Sequence, residues 1–342
     1  MSGKLFGIDF GTSMIKIYKK NDGVIFDAKN IIAVADGSRV IAIGDEAFEM
    51  YGKAPASIIV DYPVKNGVIA DIKNMTALLN RALESVSKKY GKIAGAEFLV
   101  AAPNDITEVE KRAFFDLVAS SDAKTKKIKI VDKPIADAVG AGLDVTNAHG
   151  IMIVDIGADT TEVSVLSLGG IVLSKLINVG GNKFDDSIIA NVKKTYNLII
   201  GKKTAEAIKK QLACAMPETD EQVVDAIGRD VITGLPITKK ISSTFVYETI
   251  AEHMHSIVDA VRLILEKTPP EISSDIIDSG MYLTGGSASI RNLDVLMKQQ
   301  TELNINVCED PENTVVNGLG TIIENPKLST LALSLRQTYF GS

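Results

Sequence analysis

Hydrophobic positions fall into the same order twice along this chain. Leu5 to Phe10 reads as a strand, ended by the turn Gly11-Thr12-Ser13. Ile15 and Ile17 then alternate with polar neighbours, and a further strand runs through Val24 to Phe26. The order returns at Ile153-Val154-Asp155-Ile156-Gly157-Ala158-Asp159-Thr160-Thr161, followed by alternating Val163 and Val165, a Gly169-Gly170 turn, and a strand through Ile171 to Ile177. Strand, Asp-x-Gly turn, strand, tight turn, strand is an antiparallel meander. Two copies, each followed by helices, predict two similar α/β lobes facing one another.

The helical period appears where that plan needs it. Thr107-x-x-Glu110 is a capping box ahead of Val109, Ala113, Phe114, Leu117 and Val118. A helix over 135–142 follows Pro134 and ends in glycine. Val246, Ile250, Ile257, Val261 and Ile264 form one apolar helix face that Pro269-Pro270 terminates. A third glycine turn, Gly285-Gly286, follows the strand Met281 to Thr284 and leads into a helix expected from Ile290 to Met297.

Composition narrows the function. At 342 residues the chain exceeds what one core usually organises. A net charge of -6 argues against a nucleic-acid partner, whose binding needs a basic stripe. The dense basic cluster Lys124, Lys126, Lys127 and Lys129 reads as a solvated sheet edge. Cys214 and Cys308, far apart, fit a reducing cytoplasm, and His253 and His255 lack the acidic companions of a metal site. No signal-peptide pattern and no apolar run of about 18 residues is read, so membrane contact is expected to be peripheral.

The three glycine turns carry the candidate chemistry. Glycine lets backbone N–H groups approach phosphate oxygens, and an aspartate ending a strand offers a carboxylate to Mg²⁺ through its waters. Two such hairpins, one per lobe, can clasp a polyphosphate, and a strand, glycine pair and helix can seat a nucleoside. A single glycine hairpin is more often a plain turn; three in this order are not.

The wording of these segments resembles the MreB family of bacterial actins, within the actin, sugar-kinase and Hsp70 superfamily, over nearly the whole chain. Ile69-Ala70-Asp71, Pro103-x-x-Ile106-Thr107-Glu108-Val109-Glu110-Lys111-Arg112, Ser167 to Val172 and Val179-Gly180-Gly181 carry the likeness. So do Tyr196 to Gly201, Thr204-Ala205-Glu206, Gly228-Arg229-Asp230-x-x-Thr233-Gly234-Leu235-Pro236 and Glu266 to Pro270. The resemblance implies an actin-like fold with duplicated ribonuclease-H-like lobes and four subdomains. By position these are IA over 1–30, 65–143 and 322–342, IB over 31–64, IIA over 144–179 and 241–321, and IIB over 180–240. It also implies ATP or ADP with Mg²⁺ in a cleft, and paired protofilaments acting in cell shape or motility. The expected partners are further copies of the chain, other bacterial actins and the inner face of the membrane. Asp9, Gly11, Thr12 and Ser13 resemble the first phosphate loop; Asp155, Gly157 and Thr160 the second, with Asp9 and Asp155 toward the metal. Glu206 and Lys209, three apart on one helix face, match contacts to adenosine, although a surface ion pair is the plain alternative. Gly285 and Gly286 match the adenine-side loop.

Two positions depart from that family. Its Glu-Glu-Pro reads Asp132-Lys133-Pro134 here, and a lysine ammonium cannot accept a proton from the attacking water. A water-positioning group contributes typically ~10²–10⁴-fold, so hydrolysis is expected to be slow. Asp159 stands where the family has glycine, and a carboxylate ~4 Å from a phosphate charge would cost up to ~4 kcal/mol at an effective dielectric of about 20. Either Asp159 points away, or a cation such as Lys133 sits between it and the phosphates. In the first loop Met14 and Ile15 replace polar residues. For membrane contact the sequence offers Tyr90, Ile93 and the apolar tail from Leu328 to Phe340, with packing of that tail on the first lobe preferred. A small-molecule kinase or a chaperone-type ATPase is the alternative, but no sugar-recognition segment and no substrate-binding domain is read.

Overall fold

The computed structural model describes residues 4–125 and 127–334. Two five-stranded sheets organise it. The first contains β1 (Leu5–Phe10), β2 (Met14–Lys19), β3 (Gly23–Lys29), β4 (Glu97–Ala102) and β5 (Lys127–Asp132), in the order β5-β4-β1-β2-β3. The second contains β6 (Ile151–Ile156), β7 (Thr161–Ser167), β8 (Gly170–Ile177), β9 (Met281–Thr284) and β10 (Ile305–Val307), in the matching order β8-β7-β6-β9-β10. Each meander is antiparallel, and each fourth strand joins the first in parallel. Even the irregularity is repeated. A register shift falls between Ile17 and Tyr18 in one lobe and between Val165 and Leu166 in the other. The sequence echo is thus a structural duplication.

The parallel strands are buried along nearly their whole length, because helices cover both sheet faces. In the first lobe α1 (Ile72–Tyr90) and α2 (Glu108–Ala119) close the core around Phe6, Phe98 and Phe114. The capping box read from Thr107 and Glu110 is present in both directions. In the second lobe α4 (Gly181–Tyr196), α5 (Lys202–Leu212) and α6 (Ser243–Lys267) pack around Phe184, Val246 and Ile257. Helix α6 stops before Pro269 as expected. A small sheet of Ile32–Ala35, Arg39–Ile43 and Ile58–Asp61 extends the first lobe, and one of Leu198–Ile199, Val223–Asp230 and Pro236–Ser242 extends the second.

Two helices join the halves. Helix α3 (Lys133–Gly140) continues β5 and leads toward β6, and α7 (Thr314–Glu324) returns from the second lobe to pack under β1. They cross in backbone contact at Gly140 and Gly318. Beyond α7 the chain adds Leu333 to the free edge of β5, exchanging two hydrogen bonds with Ile130 at 2.9 and 2.8 Å. Of the basic cluster expected to be a solvated rim, Lys124 and Lys127 stand exposed, but Lys129 is half-buried and donates to the Ser329 carbonyl at 3.2 Å where the edge is covered; Lys126 lies outside the described residues.

Several expectations change. The segment after Gly285 is a 3₁₀ turn, Gly286–Ser289, and the α-helix starts only at Leu293 and runs to Thr301. Asn292, with φ of 58°, breaks the continuity that the apolar spacing implied. Ile93 is buried in the first core, which leaves the half-buried Tyr90 as the accessible member of that pair. Leu331 and Ala332 are buried against the first lobe; the part of the tail beyond residue 334 lies outside the described residues. Among the described residues no helix is long and apolar enough to cross a membrane.

Candidate functional site

The ends of β1 and β6 face each other across a cleft of about 610 Å³ between the lobes. Asp9, Gly11, Thr12 and Ser13 line it from the first lobe, and Asp155, Gly157 and Thr160 from the second. Lys133, Glu206, Lys209, Gly285 and Gly286 complete the wall. Two glycines are sterically required. A Cβ at Gly11 would lie 2.8 Å from the Met14 carbonyl oxygen, and one at Gly285, where φ is +83°, would lie 2.3 Å from Asp155 Oδ1. Both turns therefore bring backbone close to the strand-end carboxylates.

Asp159 is the exception among the expected site residues, since it does not line the cleft. Its Oδ2 accepts from the Asn66 backbone N–H at 2.8 Å and its Oδ1 from Asn182 Nδ2 at 2.6 Å. Of the two readings open in the sequence, the carboxylate points away; Lys133 does not bridge it to the cleft. Asp159 instead ties the lobes together. Asp132, next to Lys133, is likewise engaged elsewhere, in an ion pair with Lys111.

Lys133 Nζ lies 3.5 Å from Asp9 Oδ1. Burial would drive the proton off this ammonium, but the carboxylates of Asp9, Asp155, Asp137 and Glu162 more than offset it and hold Lys133 above its ordinary value, hence charged. Burial favours the neutral form of three of those acids as well, and in them it prevails. Burial raises Asp155 and raises Asp137 well above the carboxylate range, and it lifts Glu162 to about 7. Glu162 Oε1 accepts from the Asn104 N–H at 2.8 Å and the Asp105 N–H at 3.4 Å, a second tie between the lobes.

Glu162, Asp137 and Lys16 escaped the sequence reading. Each had a signal. Lys16 and Glu162 both stand seven residues after the strand-end aspartate, and register places them directly opposite Asp9 and Asp155. Asp137 follows Lys133 by one helical turn, which puts both on one face of α3. Lys16 is buried and donates to the Glu312 carbonyl at 2.6 Å and to Asn313, so it fastens the loop before α7 rather than pairing with Asp9.

At the other end of the cleft, Glu206 and Lys209 share the face of α5 but have separate partners. Glu206 pairs with Lys210 at 2.7 Å, so the plain alternative of a Glu206–Lys209 surface pair is not what forms. Lys209 Nζ reaches Asp185 Oδ2 and the Gly181 carbonyl, both at 2.9 Å. Burial outweighs that ammonium and lifts Asp185 to about 6. Ser287 donates to the Gly157 carbonyl at 3.1 Å, linking the third glycine turn to the second phosphate loop. The result is a tripartite backbone cradle flanked by acids at one end and lysines at the other, a shape and donor set suited to an adenine nucleotide.

Comparisons with known proteins agree with this geometry. A model of the MreB/Mbl protein family matches residues 3–330. The chain is 36% identical over 326 residues to the cell shape-determining protein Mbl of Bacillus subtilis (strain 168), covering 95% of this chain and 97% of that one. It is 37% identical over 322 residues to the cell shape-determining protein MreB of Escherichia coli (strain K12), covering 93% and 92%. The crystal structure of MreB5 of Spiroplasma citri bound to ADP superposes with a TM-score of 0.90 at 31% identity, covering 96% of this chain and 98% of that chain. The MamK double helical filament superposes with a TM-score of 0.76 at 21% identity, a likeness of fold alone.

Proposed function

The chain belongs to the MreB/Mbl family, and we propose that it is an actin-like subunit that binds adenine nucleotide in the interlobe cleft and polymerises into cytoskeletal filaments for cell shape or motility. The observation that carries the reading is the cradle itself: duplicated hairpins bring Gly11 and Gly157 to one cavity, with Gly285 closing its third side. The Spiroplasma relative of the same fold is bound to ADP, and another structure of it to AMPPNP. A kinase or chaperone role is not favoured by relatives that are cell shape-determining proteins over nearly the full chain.

Such a subunit forms filaments through head-to-tail contacts between unlike surfaces, which propagate without closing. The two small sheets support the expected division into four subdomains, with IB over 31–64 and IIB over 180–240. Hydrolysis is slow in this reading, because Lys133 holds the position of the water-orienting acid and is charged. Asp9 and Asp155 are the carboxylates that the family likeness assigns to Mg²⁺, but Asp9 already holds the Lys133 ammonium at 3.5 Å, so a metal there would have to compete with it. The place of action is the cytoplasm, at the inner face of the membrane, with other bacterial actins as partners.

Negative-stain microscopy and sedimentation of the purified protein with ATP test this, alongside phosphate release. Paired straight filaments with release about 10²-fold or more slower than from a relative carrying glutamate at this position are expected. Monomers at every nucleotide and salt condition up to tens of micromolar would exclude the filament role. A release rate equal to the relative's would show that another group orients the water.

A further inference from the structure

The phosphate end of the cleft concentrates four acids around one lysine. Asp9 and Asp155 end β1 and β6, Glu162 lies opposite Asp155, and Asp137 stands one turn along α3 from Lys133. Two of their oxygens, Asp9 Oδ1 and Asp137 Oδ2, are buried and accept no hydrogen bond. Asp9 is 7% exposed and Asp137 1%; burial keeps Asp137 protonated, whereas Asp9 Oδ1 is a buried acceptor that a nearby cation can satisfy. Lys16, opposite Asp9, is engaged by the Glu312 carbonyl and Asn313, and the cation paired with Asp9 Oδ1 is the Lys133 ammonium, at 3.5 Å.

A divalent ion does not fit this donor set well. Bringing it to Asp9 and Asp155 places two cations on one carboxylate, and their repulsion offsets much of what the acids offer. The ammonium, by contrast, is a compact point charge with three donors on a flexible stem. It can hold Asp9 and still turn a proton to a phosphate oxygen entering between Gly11 and Gly157. We propose that Lys133 is a built-in cation of the nucleotide site, supplying the charge neutralisation a divalent ion would supply, so that adenine nucleotides bind this chain with little dependence on metal. The proposal rests on the cleft being the nucleotide site.

Calorimetric titration of ADP into the full-length protein, in excess EDTA and in excess Mg²⁺, tests it. Wild-type dissociation constants are expected to agree within about threefold, whereas Lys133→Met binds at least about tenfold more weakly in EDTA and recovers with Mg²⁺. Electron paramagnetic resonance of Mn²⁺ added to the ADP-bound wild type reads the metal directly and needs no variant; no stoichiometric binding is expected. A wild type that loses about tenfold or more in EDTA, or binds one Mn²⁺ tightly, overturns the proposal while leaving the nucleotide site in place. Absence of ADP binding in both buffers removes the site and the proposal together.

Discussion

Glu162 holds its proton because water cannot reach to solvate the anion. Its carboxyl titrates near 7 when folded, against an ordinary value of 4.5. Between those values the folded state keeps a proton that the unfolded chain releases, so stability falls as pH rises from about 4.5 to about 7 and is level above. The shift corresponds to roughly 3 kcal/mol at most. Nucleotide-free protein should therefore lose melting temperature across this window, and Glu162→Gln, which still accepts from Asn104 and Asp105, should flatten the loss. Asp155 and Asp137 shift the same way and leave the variant a shallower slope. Identical slopes for wild type and variant, measured by calorimetry from pH 5 to 8, would mean that Glu162 is ionised throughout. The residue scale is also where sequence reasoning paired the wrong charges. Lys133 and Asp159 are both departures from the family, but Lys133 turns to Asp9 and Asp159 to Asn66 and Asn182.

Elements with local signatures were legible. The meander strands follow from period-2 alternation, α2 from its capping box, α3 from Pro134, and α6 from its apolar face and terminal prolines. Helix α7 was not read. It is buried on nearly every side and carries Gly318 and Gly320, which lower its helix propensity. Its glycines serve the crossing with α3. A Cβ at Gly318 would lie 1.8 Å from the Ala136 carbonyl oxygen, and one at Gly140 would lie 1.9 Å from that of Thr314. Both obstacles are backbone, which cannot step aside as a side chain can. Gly318→Ala is expected to destabilise by about 3 kcal/mol or more, at or beyond the upper end of ordinary overpacking. Urea unfolding checks it, and a variant as stable as wild type would mean that the helices are not in contact there.

At the scale of the whole molecule, the hairpin joining Val223–Asp230 to Pro236–Ser242 holds Ile232 and Leu235 at 79% and 63% exposure. Apolar side chains at the tip of a small outlying sheet gain most by being covered by another copy. The double substitution Ile232→Asp with Leu235→Asp should raise the critical concentration for assembly by about tenfold or more, as charge is buried in place of apolar surface. Nucleotide affinity should be unchanged, because the tip does not line the cleft. Pelleting at the wild-type critical concentration would place the longitudinal contact elsewhere.

The sequence by itself determined the duplicated meander, the three glycine turns and the family likeness, since alternation, turn chemistry and helix caps act within about ten residues. Tertiary structure alone decided the partners of the cleft charges. Lys133 meets Asp9 across 124 positions of chain, and Glu162 meets Asn104 because two sheets built 146 residues apart close on each other. Burial then sets which of those acids keeps its proton, and burial is a property of the closed cleft rather than of any segment that lines it.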